Sequence, residues 1–582
     1  MLMRILLLAA CVLGPAVVRA DEPLTAPDPT RVRLLDEVPN YPQILRDQWS
    51  SGVPADTFER EQGNYGLLSD TASPRPITLE ESIALALENN TGLRIQRLSP
   101  IAATARVRQA YAQFDPQIFG DANTQRAVQP VGTINAFTND DAPDIFNAVV
   151  NWNVGARKRL LTGGILTGEW TNQRLRSDAN FINLLQPAYD TTLDLSLSQP
   201  LLRDFGWRFS LLVVDVAQIR EEQAYYDYRA QVTSLVENVE RGYWAYVLAI
   251  ETVRVEEKGL DLAKELLRQN EGRFKVGALP RTSVLESEAE VARREATMVR
   301  SRAFERIARD NLRALINAKE GKDALLMIQP VDKPTVVTAD LDLAESLTIA
   351  YTQRPELVAA RLDIDGRQVE QKIAQNRLLP RLDLVGSIGL NGLGGDDSGV
   401  VIVDENGNIQ SQANPQVFGG YSRSLELLTD TNYYQYLVGA RIEIPIANAS
   451  AKAEYAQAKV NSEVARLSLE QTEETVTLEI TQAINNLNAL IKSIEATRIA
   501  RELAAENVRN QQARFDVGLA TTKDLIDFTE RLTQAERAEV DSLTLYNTQL
   551  AELRRARGTL LQERNIELER NPVESPPWWA RF

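Results

Sequence analysis

Tyr434-Gln435-Tyr436-Leu437-Val438-Gly439-Ala440-Arg441-Ile442-Glu443-Ile444-Pro445-Ile446, with the chain that follows it, decides the fold. Tyr434, Tyr436, Val438, Ala440, Ile442 and Ile444 make one apolar face, and Gln435, Leu437, Gly439, Arg441 and Glu443 make a mostly polar one. That alternation is the signature of a strand with lipid on one side and water on the other. Residues 450 to 512 then contain no proline or glycine, and Ile480, Ile484, Leu487, Ile491 and Ile494 recur at steps of 4, 3, 4 and 3, a coiled-coil seam. At about 1.5 Å per residue this is a helix on the order of 90 to 100 Å long, which needs partners along its whole length.

Other segments repeat the strand pattern. Leu193, Leu195 and Leu197 alternate with Asp194, Ser196 and Ser198; Val150, Trp152 and Val154 alternate with Asn151 and Asn153; Leu382, Leu384 and Ile388 lie opposite Arg381, Asp383 and Ser387. Tyr433, Tyr434 and Tyr436 stand where an interfacial aromatic girdle is expected. Two strand pairs are too few to close a barrel around water, so several chains must contribute to one ring.

The chain also repeats itself. Glu81-Ser82-Ile83-Ala84-Leu85-Ala86 matches Glu345-Ser346-Leu347-Thr348-Ile349-Ala350, and Phe114-Asp115-Pro116 matches Leu378-Leu379-Pro380, both at an offset of 264. Gln199-Pro200-Leu201 matches Ile444-Pro445-Ile446 at 245, and Arg273-Phe274-Lys275-Val276-Gly277 matches Arg514-Phe515-Asp516-Val517-Gly518 at 241. Two halves follow, each running helix, strand, loop, strand, long helix, reversal, long helix. The length of the long helices requires shorter ones stacked end on end. The return helix after Gly277, ending near Ala318, is expected to stack on a helix from Leu341 to Asn376. The return helix after Gly518 is expected to stack on one from Leu79 to Gln113, which would close the arrangement through both halves.

Composition narrows the function. Arg4, the apolar run from Ile5 to Val18 and Val18-Arg19-Ala20 read as a signal peptide over residues 1–20. Leu8-Ala9-Ala10-Cys11 is an alternative, lipid-bearing cleavage box, disfavoured by the short apolar run before it. There is one cysteine and no histidine, which removes the usual triads and the commonest zinc ligand. The formal charge of -16, from 80 acidic and 64 basic residues, gives no support for binding nucleic acid or an anionic membrane surface. No apolar run after the leader is long enough for a spanning helix, so a membrane crossing must be made by strands.

On the duplicated helices, the Leu379-Pro380-Arg381-Leu382 strand entry, the Pro200 and Pro445 exits and the two tip motifs, the chain resembles the TolC-type outer-membrane efflux protein family over about residues 77 to 565. The resemblance implies an α+β membrane protein: a long α-helical coiled-coil barrel forming a periplasmic tunnel, joined to a trimeric outer-membrane β-barrel of twelve strands and built from two internal repeats. It implies a passive exit duct of a tripartite efflux or type I secretion system, made of a homotrimer set in outer-membrane lipid. Its partners would be a periplasmic adaptor and an inner-membrane pump. The domains are then the signal peptide, a proline-containing periplasmic segment 21–76, a first repeat 77–330, a second repeat 331–565 and a tail 566–582. Adaptor docking falls on the tips, with plain helix termination as the simpler role of their glycines: Arg273, Phe274, Val276 and Gly277 in the first half, and Arg514, Phe515, Val517, Gly518 and Leu519 in the second. Asp524 and Asp527, three apart on one helix face, fall at the periplasmic constriction as stacked carboxylate rings, with helix-dipole stabilisation as the simpler role. Ser283 and Glu286 stand at their equivalents. Three features depart from the family: segment 21–76, an extra strand-like pair around Arg159-Leu160-Leu161-Thr162-Gly163-Gly164, and Ala520 where a tip arginine is usual.

No catalytic constellation, cofactor site or metal site is legible, and no nucleic-acid partner. Gly389-Leu390-Asn391-Gly392-Leu393-Gly394-Gly395 has no helix pattern after it and reads as an external loop rather than a phosphate cradle. Asp404-Glu405-Asn406-Gly407-Asn408 reads as a hairpin turn rather than a calcium loop. The rival function is a periplasmic structural or adhesive coiled-coil protein without transport activity.

Overall fold

The computed structural model describes residues 75–130, 144–177, 185–316, 328–336, 341–399, 402–403, 409–411 and 414–568. The signal peptide with Cys11, nearly all of segment 21–76, the Asn406-Gly407 turn and the tail from 569 lie outside the described residues.

The first half runs β1 (Arg75–Ile77), α1 (Leu79–Asn89), α2 (Thr91–Tyr111), β2 (Gln117–Pro130), β3 (Asp144–Arg159), β4 (Ile165–Ser177), β5 (Leu185–Pro200), α3 (Trp207–Lys275) and α4 (Arg281–Ile316). The second runs β6 (Ile328–Pro330), α5 (Leu343–Gln353), α6 (Pro355–Asn376), β7 (Arg381–Asp397), β8 (Ile402–Val403), β9 (Ile409–Ser411), α7 (Gly420–Thr429), β10 (Tyr434–Glu443), α8 (Ala449–Asp516), α9 (Thr522–Arg557) and α10 (Leu560–Glu563). The long helices α3 and α8 have 69 and 68 residues, and α4 and α9 have 36 each. Among the described residues no helix is long and apolar enough to cross a membrane.

The helices expected over Leu79 to Gln113 and Leu341 to Asn376 are each broken in two. Asn90 leaves the helical region and its side chain caps α2 by accepting from the Leu93 amide at 3.0 Å. Arg354 is extended because Pro355 follows it and opens α6. The breaks are joints, and they correct the expected stacking. Asn90 Nδ2 donates to the Leu315 carbonyl at 3.0 Å, so the end of α4 meets the start of α2. Gly558, beyond α9, lies against the backbone of Gln353 and Arg354, and Arg557 Nη2 donates to Ser346 Oγ at 2.6 Å. Each return helix therefore abuts the broken helix of its own half, not of the other. The reason is local: the carbonyls left unpaired at a helix C-terminus need donors, and the joints supply them.

Two cores lie at these joints. Val232, Val236, Val239, Tyr243 and Val247 of α3 pack with Ile83 and Ala86 of α1 and Leu312 and Ile316 of α4. Val476, Ile480, Ala483, Ile484 and Leu487 of α8 pack with Tyr546, Leu550 and Leu553 of α9 and with Ala350 and Leu357. Of the expected seam, Ile480, Ile484 and Leu487 are buried and Ile494 is partly buried, but Ile491 is 39% exposed. A seam is buried only where a partner lies against it. β1 and β6 pair in parallel beside the first core, where the Tyr243 hydroxyl donates to the Ile77 carbonyl at 3.2 Å and to Asp332 Oδ2 at 2.8 Å.

The main sheet is antiparallel with six strands in the order β10-β7-β5-β4-β3-β2. That is two more than the four per chain of a twelve-stranded trimer, and the additional pair falls at the extra strand-like pair expected around Arg159 to Gly164. The Arg159 to Gly164 segment is the corner of the added hairpin, closed by the Leu160 amide donating to the Gly164 carbonyl at 2.7 Å, with Gly163 at φ +89°. Gly389 to Gly395, expected as an external loop, is part of β7. Its glycines admit α7: a Cβ on Gly392 would stand 1.9 Å from the Ser424 carbonyl oxygen, and one on Gly394 2.2 Å from that of Gly420.

Candidate functional site

Register assigns each face of the sheet. Trp170 opposes Val154 and Leu193, Leu195 opposes Gly168 and Ile388, and Ile388 opposes Tyr436. Leu195, Ile388, Tyr436, Val438 and Ile442 on this face are all more than half exposed. An apolar surface of this extent is at home in lipid rather than water, which disfavours a soluble coiled-coil protein. On the other face polar side chains are laced across strands. Asn151 Nδ2 donates to Asn123 Oδ1 at 3.0 Å, Asn153 Nδ2 to Asp121 Oδ2 at 3.2 Å, Gln173 Nε2 to Asn151 Oδ1 at 3.2 Å, and Thr192 Oγ1 to Asn391 Oδ1 at 3.3 Å. Glu169 stands opposite Asp194 on this face. Such a face suits a water-filled lumen.

The tips close alike. After α3 the Gly277 amide donates to the Phe274 carbonyl at 2.9 Å and the Ala278 amide to that of Arg273 at 2.8 Å. After α8 the Gly518 amide donates to Phe515 at 3.1 Å and the Leu519 amide to Arg514 at 2.8 Å. Gly277 and Gly518 sit at φ +76° and +78°, where a side chain would be strained. Val276, Gly277, Val517, Gly518 and Leu519 are exposed, as are Phe274 and Arg514. Phe515 is not: at 2% exposure it packs with Leu266 and Leu525 and supports the tip from within. Arg273 reaches across from the first tip to the second, with its Nη2 3.2 Å from Asp516 Oδ1.

Asp524 is exposed, and its carboxylate closes a capping box at the start of α9. Its Oδ2 accepts from the Thr521 amide at 2.9 Å and hydroxyl at 2.7 Å, while its own amide donates to Thr521 Oγ1 at 3.2 Å. The Thr521 hydroxyl, then the Thr521 amide, holds this carboxyl below the ordinary aspartate value. Asp527, one turn on, is exposed and outside the box.

Polar groups missed by sequence reasoning tie the two hairpins together behind the tips. Buried Asn270 donates to Ser287 Oγ at 2.7 Å and to Thr522 Oγ1 at 3.2 Å. Buried Arg294 donates to Glu290 Oε1 at 2.7 Å and Thr533 Oγ1 at 3.1 Å, and Arg537 lies 3.1 Å from the buried Glu256 carboxylate. A charged residue in an exposed-looking helical pattern carries no local mark of burial. Among the described residues no group of acidic residues and cysteines is placed to hold a metal ion.

The sequence profile of the family described as outer membrane efflux protein matches residues 82–318 and again 347–559. Outer membrane protein TolC of Escherichia coli is 26% identical over 428 residues, covering 72% of this chain and 80% of TolC. TolC of Salmonella enteritidis is 25% identical with the same coverage. Among solved structures, the Campylobacter jejuni CmeC outer membrane channel superposes with a TM-score of 0.59 at 16% identity, covering 84% of this chain and 90% of that one. A Pseudomonas aeruginosa membrane protein superposes with a TM-score of 0.58 at 20% identity, covering 82% and 93%. Those identities speak to the fold alone. The profile spans well over half of the chain, in two blocks that each run from an early helix to a return helix, and is that of a channel family rather than a known enzyme family. The chain belongs to the outer membrane efflux protein family, and its place is the outer membrane.

Proposed function

We propose that the chain is the exit duct of a tripartite efflux or type I secretion system, assembled as a homotrimer and passively conducting solutes that an inner-membrane pump delivers. One observation carries this reading: a sheet with a lipid-compatible face and a polar face runs, through Pro200 and through the short link after Glu443, directly into helices of 69 and 68 residues. Membrane span and tunnel are one continuous chain. The recurrence of element order and length, and the double profile match, support an internal duplication.

Three copies would close eighteen strands, by pairing the open edge of β2 with the open edge of β10 on the next copy. The widths agree. Six strands about 4.8 Å apart and tilted by about 40° span roughly 38 Å of circumference. The four helices α3, α4, α8 and α9, spaced about 9 to 10 Å apart, span roughly 36 to 40 Å. Four strands at the same tilt would span only about 25 Å, so the added hairpin brings barrel and tunnel to a common circumference. Exposed apolar side chains on the helices, Phe304 and Ile307 on α4 and Val460, Val464 and Leu467 on α8, supply surface for the same assembly.

In this assembly the exposed tips, Val276-Gly277 and Val517-Gly518-Leu519, dock the periplasmic adaptor, and Asp524 and Asp527 line the periplasmic constriction. The test is twofold. Purified protein in a planar bilayer should conduct as a heat-modifiable trimer, and photocrosslinkers at positions 276 and 517 should capture an inner-membrane-anchored adaptor. A conducting monomer would refute the trimer. Crosslinks absent at both tips, with conductance intact, would refute the docking assignment.

A further inference from the structure

We infer that Arg126, Arg174 and Arg176, on the outer face of the sheet, form a binding site for the phosphate groups of outer-leaflet lipid. This rests on the assignment of the apolar face to lipid. By register Arg126 opposes Ala148, which opposes Arg176 on its other side, while Arg174 opposes Val150 and Tyr189. These belong to the same alternating set as Trp152, Val154, Trp170 and Leu193, so all three arginines point to the lipid side. Both Arg126 and Arg176 lie against the Phe146 ring, with their guanidinium carbons 5.9 and 6.0 Å from its centroid. Arg126 and Arg176 are exposed and Arg174 is half-buried. Among the described residues no carboxylate forms an ion pair with any of the three; the nearby helix α7 keeps Glu426 engaged by its own Arg423 at 2.6 Å.

Height along the strands supplies the second argument. The apolar face starts at the Leu382 and Ile442 pair and runs ten residues along β7 to Gly392. At about 3.3 Å per residue and about 40° of tilt this is roughly 25 Å, the height of an outer-membrane apolar band. At its upper edge stands an aromatic group: Tyr421 of α7 lies 5.3 Å from Trp152 and 5.8 Å from Tyr189, with its hydroxyl donating to Asn172 at 2.9 Å. The arginines come two and four residues beyond this row, roughly 5 to 10 Å higher, at the depth of lipid headgroups. Guanidinium groups fixed there match phosphate in charge and in bidentate geometry. The formal charge of -16 conceals the patch, because strand pairing gathers basic residues that are distant in sequence.

The test uses full-length protein purified in detergent and incubated with lipopolysaccharide, dephosphorylated lipopolysaccharide, or phosphatidylethanolamine vesicles. Wild type should retain phosphorylated lipopolysaccharide at least about tenfold better than the dephosphorylated form, and Arg126→Gln/Arg174→Gln/Arg176→Gln should remove that preference. Inorganic phosphate at millimolar concentration should not displace the lipid; displacement would make this a site for free phosphate and overturn the lipid assignment. Equal retention by the triple variant, in protein that still fractionates to the outer membrane and conducts, would also overturn it. Loss of outer-membrane fractionation by wild type would instead refute the underlying face assignment.

Discussion

Arg273, at the end of the first long helix, binds the end of the second: its Nη2 lies 3.2 Å from Asp516 Oδ1, its Nη1 donates to the Phe515 carbonyl at 3.2 Å, and its guanidinium covers the Phe515 ring at 4.6 Å. The two tips are thus joined within one chain by a charge pair, a backbone contact and a ring contact. Because Asp516 is more than half exposed, the ion pair contributes at most about 1 kcal/mol, and the ring contact adds roughly 0.5 to 1. We therefore expect Arg273→Ala to raise the open probability of the reconstituted channel by about two- to tenfold, with Arg273→Lys intermediate. Single-channel recordings check this; unchanged open probability would assign Arg273 to tip packing alone.

Asp524 gives a pH dependence with a defined sign. Its folded-state value is depressed, so the capping box is complete above the unfolded value of about 3.9 and is lost as pH falls through the lower folded value. Amide exchange protection at Asp524 and Leu525 should be flat from neutral pH to about 4 and decline below it. Asp524→Asn should remove the decline. The same decline in that variant would exclude the carboxylate as its cause.

Asp527 separates gating from capping. Asp527→Ala should weaken cation preference and divalent block while leaving the start of α9 intact, because its carboxylate takes no part in the box. Asp524→Ala/Asp527→Ala should abolish both. Reversal potentials in a salt gradient decide the matter, and unchanged selectivity in the double variant would leave both aspartates without a role in conduction.

Gly392 holds α7 on the sheet. A branched side chain there meets the Ser424 backbone at 1.9 Å, an overpacking that costs about 1 to 3 kcal/mol and is relieved by lifting the helix. Gly392→Val should therefore speed tryptic cleavage at Arg423 on the order of tenfold while the protein still fractionates to the outer membrane. Wild-type cleavage kinetics would show that α7 does not depend on this contact.

Tyr243→Phe should destabilise the helical core by about 1 to 3 kcal/mol, since Asp332 and the Ile77 carbonyl would lose a buried donor. Burial, the largest influence, pushes this hydroxyl well above its ordinary value of 10.0. Its contribution is then constant below pH about 10 and falls as pH rises above it. Thermal melts at neutral pH and above 10 test both the size and the sign.

Periodicity determined the long helices and the strands with a clean alternation, but not the breaks at Asn90 and Arg354 or the strand through Gly389 to Gly395. The alternation from Tyr434 to Ile444 gave β10 and its exposed apolar face, and the unbroken run after Ser450 gave a helix observed from Ala449 to Asp516. The repeated Arg-Phe-x-Val-Gly tips ended where their glycines adopt positive φ. These features are local, since one residue's neighbours in sequence are its neighbours in a strand or a helical turn. Contacts between distant segments were settled only by the tertiary structure. It decided that α4 meets α2 through Asn90 and Leu315, that Phe274 is exposed while its counterpart Phe515 is buried, and that Arg126 and Arg176 share one aromatic ring. Each of these depends on packing or register between segments, for which a single chain read in order carries no periodic signal.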